Sequence, residues 1–149
     1  MDAKTPISRS AKVQRTQWTA QFLAASELVR NNYVVSFTMG NTPLADLMVG
    51  SRDATHRFWV DVKGVGSNSA WLIRRRPAVP NLFYILVRVG ETRAADLFFV
   101  LSHPQVNELI AAQDEIDLLK GSRDIGGGFL WKAALPFQDK WPVLPGWPY

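Results

Sequence analysis

The stretch "RFWVDVKG", residues 57–64, constrains this chain more than any other. Its β-branched and aromatic content reads as a strand. Strand alternation puts Phe58, Val60 and Val62 on one face and Trp59, Asp61 and Lys63 on the other. The wholly apolar face needs a covering layer, so the segment belongs to a sheet packed against helices. The other face carries an acid and an amine two residues apart. Taken alone, that pair is an ordinary ion pair at a sheet rim, worth little.

The remaining chain supplies the sheet. Strands are expected at 33–38, 45–49, 57–63, 82–89 and 96–101, with turn signals between them. Asp46 falls inside the second. A helix is expected over 17–31, with Trp18, Phe22, Ala25 and Val29 three or four apart, Leu28 beside them, and an exit at Asn31–Asn32. A second helix is expected over 104–120, capped by Ser102 or His103, with Pro104 near its first position. Its apolar set is Val106, Leu109, Ile110, Ile116 and Leu119, and Gly121 ends it. Residues 1–14 read as a flexible basic arm, and 15–149 as a single domain with no internal repeat. The tail, 121–149, is irregular and aromatic. Exposing its three Trp residues together is too costly, so it is expected to wrap the domain as a belt.

Several chemistries drop out. The chain has no cysteine, which removes disulfides, thiolate metal sites and cysteine nucleophiles. No apolar run reaches the roughly 18 residues of a membrane span. The first residues lack the apolar core of a signal peptide, so a cytoplasmic location is expected. His56 and His103 are far apart in sequence and outline no zinc site. Ser102 and His103 are adjacent, which does not make a triad. "GSRDIGGGF" lacks the Gly-Lys-Ser/Thr of a nucleotide loop. The net charge of +4 permits a nucleic-acid partner without requiring one.

Asp46 on one strand, with Asp61 and Lys63 on the next, resembles the signature of the PD-(D/E)xK nuclease superfamily, which includes restriction endonucleases and Holliday-junction resolvases. "GNTPLADLMV" is similar to the glycine, turn and strand that lead into the first acid of small resolvase-like members. The resemblance runs from about Thr16 to Ser102. It implies an α/β, restriction endonuclease-like fold: a mixed sheet of about five strands flanked by helices. It implies metal-dependent hydrolysis of DNA phosphodiester bonds, on branched or damaged duplexes among other substrates. The cofactor is expected to be Mg²⁺, with Mn²⁺ as the alternative, held by the Asp46 and Asp61 carboxylates and the Val62 carbonyl. Lys63 would orient the attacking water or stabilise the pentavalent phosphate.

Active members usually carry a Glu near the start of the first helix, and the matching position here is Gln21. The one carboxylate of that helix, Glu27, lies six residues on, about 9 Å along the axis, where Arg30 or a backbone group is its expected partner. DNA phosphates would be gripped by Arg74, Arg75 and Arg76, joined by Lys12 and Arg15 and by Lys4 and Arg9 of the arm. The resemblance leaves room for a homodimer. The alternative function is a nuclease-fold protein that has lost catalysis and serves as a DNA-binding or protein-interaction module.

Overall fold

The computed structural model describes residues 5–39, 43–121 and 127–148. A mixed sheet holds five strands in sequence order: β1 (Tyr33–Phe37), β2 (Leu47–Ser51), β3 (Arg57–Val65), β4 (Leu82–Arg88) and β5 (Leu97–Ser102). Neighbours are antiparallel except β3 and β4, which are parallel. Helices α1 (Arg9–Arg30) and α2 (His103–Leu119) cover opposite faces. The expected mixed sheet between helices is therefore present.

Alternation assigns the two faces. Phe58, Val60, Val62, Ile85 and Val100 pack with Ala20, Ala24 and Leu28 of α1. Leu82, Tyr84, Leu86, Phe99 and Leu101 pack with Val106 and Ile110 of α2. No described helix is long and apolar enough to cross a membrane.

Two expectations about α1 change. The helix begins at Arg9, so the segment read as a flexible arm is helical from that residue on. Ser8 caps it, its hydroxyl accepting the Ala11 N–H at 3.2 Å, and no Gly or Pro follows to interrupt good helix formers. The buried stripe is also different. Ala25 and Leu28 are buried as expected, but Trp18, Phe22 and Val29 are 42, 59 and 57 % exposed, and Ala20 and Ala24 are buried instead. Small residues win because they let the helix lie close against β3: a Cβ added at Gly64 would stand 2.6 Å from the Ala20 Cβ. The aromatic residues line the helix flank instead, Phe22 against Trp18 and Phe37 with ring centroids 5.9 and 5.3 Å apart.

α2 starts with a reciprocal cap. Ser102 accepts from the Gln105 N–H, and the Gln105 side chain accepts the Ser102 N–H. Val106 and Ile110 are buried as expected, but Ile116 and Leu119 are 44 and 89 % exposed. A helix of this length spans about 25 Å and outruns β5, which spans about 20 Å.

The parallel pair β3–β4 requires a crossover, and residues 66–81 make it without a helix. Trp71 anchors this segment. It is fully buried and exchanges backbone hydrogen bonds with Phe129 at 2.9 and 3.1 Å. Gly128 allows that approach, with φ at +117° and room for no Cβ, which would stand 2.0 Å from the Trp71 carbonyl oxygen. The tail wraps as expected: Phe129, Trp131 and Ala134 join the core on the α2 face, Gln138 bridges to Phe99 at the β5 edge, and Trp141, Leu144 and Trp147 pack on the α1 face. The Tyr33 hydroxyl then donates to the Pro145 carbonyl at 2.8 Å.

Candidate functional site

β3 is longer than β2, and the candidate site lies where β2 begins. The register pairs Leu47 with Val60, so the next position places Asp46 across from Asp61. Asp46 lies just before β2 rather than inside it. Its N–H still donates to the Val60 carbonyl at 3.0 Å. Beyond this point β3 loses its strand neighbour on the β2 side, and side chains take over the exposed backbone groups. The Asp46 carboxylate accepts the Val62 N–H at 2.8 Å. Gln17 Nε2 donates to the Val62 carbonyl at 2.7 Å, and Gln17 Oε1 accepts the Gly64 N–H at 2.9 Å.

Asp61 faces away from α1 and is only 4 % exposed. One oxygen meets the Lys63 ammonium at 3.0 Å and the other meets the Arg76 guanidinium. Gln21 reaches Asp46 from α1, with Nε2 3.3 Å from the carboxylate. Burial pushes the Asp46 carboxyl up to about 6. Its backbone hydrogen bond from Val62 opposes the rise, the neighbouring Asp61 charge adds to it, and Lys63 lowers it. Asp46, Asp61, Lys63 and Gln21 thus meet at one place.

The three arginines part company. Arg74 and Arg75 are exposed, as are Lys12 and Arg15 on α1. Arg76 turns inward, which corrects its expected place on a phosphate-gripping surface. It pairs with Asp61, donates to the Leu44 carbonyl at 2.6 Å and lies 5.7 Å from the Tyr84 ring centroid. A buried carboxylate needs such cations, and the crossover brings Arg76 within reach. Asn107 of α2 fixes the Arg76 backbone, donating to its carbonyl at 2.9 Å. Burial raises the Tyr84 phenol to about 12, so it is neutral beside these charges. Glu27 lies outside this cluster and pairs with Arg93, not with Arg30. Lys4 lies outside the described residues.

The Val62 carbonyl, expected as a metal ligand, already accepts from Gln17 and keeps one lone pair free. Gln17 had no place here in the sequence reading, which set Arg76 on a phosphate surface without its pairing to Asp61. Gln17 had a signal: it falls one turn before Gln21, in line with Ala20, Ala24 and Leu28, as a polar residue on the buried stripe. Arg76 had none, being fifteen residues from Asp61 on a segment without periodicity. Compared with family models, curated proteins and solved structures, the chain gives no significant match.

Proposed function

We propose that the chain is a metal-dependent endonuclease that hydrolyses DNA phosphodiester bonds, built on a restriction endonuclease-like version of its sheet. The observation that carries the reading is the meeting of Asp46, Asp61 and Lys63 at the point where β3 outruns β2. Two adjacent carboxylates, one with its pKa raised by burial and by the other, suit a hard cation. Among the described residues no group of three or more His, Cys, Asp or Glu is poised to hold a metal ion. The donor set fits the other mode open to Mg²⁺, in which one or two carboxylates are joined by water and substrate phosphate oxygens.

Asp46 and Asp61 would hold the ion. When bound, Mg²⁺ or Mn²⁺ would polarise the scissile phosphate and lower the pKa of an attacking water. The chain's own groups do the rest. The Val62 N–H and the Gln21 amide fix the plane of the Asp46 carboxylate. Lys63, about 35 % exposed at its side chain, reaches solvent and can offer its charge to the developing phosphorane. Arg76 holds Asp61 in place and offsets its charge while the site is free of substrate.

A second reading is a protein that keeps this arrangement for binding DNA alone. It is favoured by Gln21 at the position of the usual acid and by the two ion pairs already formed by Asp61. Incubation of supercoiled, nicked and four-way DNA with each metal separates the two. The nuclease reading expects weak cleavage that prefers Mn²⁺, higher activity in Gln21→Glu, and no cleavage in Asp61→Asn or Lys63→Ala with DNA binding retained. If wild type and Gln21→Glu are both inert with both metals on all three substrates, and Asp61→Asn leaves metal binding unchanged, the binding-only reading replaces it.

A further inference from the structure

A groove of about 500 Å³ opens between the first turns of α1 and the crossover that follows β3, and it reaches Lys63. Arg9, Lys12 and Lys63 line it, and no carboxylate does. Lys63 is partly neutralised by Asp61, whereas Arg9 and Lys12 form no ion pair among the described residues. Three cations around one concavity repel one another and attract a polyanion. The groove is also apolar in part. Val13 and Leu72 line it while 62 and 70 % exposed, side chains that an ordinary solvated surface gains nothing by presenting together.

The two features select the form of the anion. A duplex keeps its bases stacked inside, so it can give phosphates to the cations but nothing to Val13 and Leu72. A single strand offers phosphates and unstacked bases side by side. Single-strand grooves pair basic residues with aromatic platforms for the bases, and here the aliphatic Val13 and Leu72 would supply the apolar contact to the base faces. We propose that this groove is a track for single-stranded DNA, which leads an unpaired strand to Lys63 and the Asp46–Asp61 pair. The substrate is then a flap or a junction with an unpaired arm. Cleavage at the end of the track rests on the nuclease reading; occupancy of the track does not.

The test measures binding by the full chain in EDTA, so that no cutting occurs. The probes are a fluorescent twelve-nucleotide oligo-dT and a duplex of the same length, followed by anisotropy over a salt series. The variants are Lys12→Glu and Leu72→Ser in the groove. Arg52→Glu, in the turn at the far end of β3, controls for net charge. All three positions are exposed, and thermal melts check that each variant is folded. The expected result is that oligo-dT binds at least about tenfold tighter than duplex. Lys12→Glu should weaken oligo-dT by about fivefold or more and flatten its salt dependence, well beyond the effect of Arg52→Glu. Leu72→Ser should weaken oligo-dT and leave duplex binding unchanged. Equal or tighter duplex binding overturns the proposal, as do equal losses in Lys12→Glu and Arg52→Glu, or an unchanged oligo-dT affinity in Leu72→Ser. The two readings then separate with Mn²⁺ present. Flap DNA that binds as expected but is never cut removes the nuclease reading and leaves the track. Cleavage of plain duplex with no single-strand preference removes the track and leaves the nuclease.

Discussion

The Gln17 side-chain amide stands in for a missing strand beside Val62, donating to its carbonyl at 2.7 Å while accepting the Gly64 N–H at 2.9 Å. An amide side chain carries the same donor and acceptor as a peptide group, so it continues the ladder where β2 has ended. The backbone between Asp61 and Gly64 is held by this contact and by Asp46.

Gln17→Ala should therefore leave two part-buried backbone groups without partners and lower stability by about 2 kcal/mol. Gln17→Glu should keep the Gly64 bond but set a carboxylate against the Val62 carbonyl. Its loss should shrink as pH falls and the Glu becomes a donor again. Urea unfolding of both variants at pH 4.5 and 7.5 reads the difference, and amide exchange at Gly64 should quicken in Gln17→Ala.

Asp46 should make stability depend on pH. Its folded pKa, about 6, lies above its ordinary value of 3.8. The folded state thus binds the proton more tightly than the unfolded one. The resulting stabilisation is fully present below about pH 4 and is lost as pH rises through about 6. Asp46→Asn should flatten that part of the profile, measured by urea titrations from pH 4 to 8. If the chain is the proposed nuclease, Mg²⁺ binding near pH 6 should release protons, detectable by calorimetry in buffers of different ionisation enthalpy.

Removing Arg76 should cost more than removing an ordinary surface arginine. Asp61 is 4 % exposed and would keep Lys63 as its one charge partner among the described residues. Arg76→Ala should destabilise by about 2 to 3 kcal/mol, less than for a fully enclosed pair because Arg76 keeps some contact with water. A double-mutant cycle with Asp61→Asn isolates the pair; a coupling energy near zero would show that Arg76 acts through Leu44 and Tyr84 alone.

The close approach of α1 to β3 predicts a steric cost at Gly64. An alanine there would meet the Ala20 Cβ at 2.6 Å and the Thr16 carbonyl at 3.0 Å. Gly64→Ala should lose about 2 kcal/mol or more. Adding Ala20→Gly should recover part of it despite the helix penalty of about 1 kcal/mol for glycine. Chemical denaturation of the single and double variants tests the contact directly.

The sheet was legible because its information is local. A period of two in 57–63 and the continuous apolar run of 82–89, with turn residues between them, mark strands without knowledge of their neighbours. The placement of Asp61 and Lys63 on one face follows from that period alone. Asp46 opposite Asp61 required the pairing of β2 with β3, which the turn at 52–56 made short enough to anticipate. The rotation of α1 was not legible. Trp18, Phe22 and Val29 outrank alanine in hydrophobicity, but burial is decided by how near the helix can come to β3, and only Ala20 against Gly64 permits the observed distance. That rotation turns Gln17 and Gln21 toward the site. The inward course of Arg76 is likewise tertiary: it depends on Trp71 anchoring a crossover to Phe129, fifty-eight residues away, and on the need of a buried Asp61 for a cation that no local pattern records.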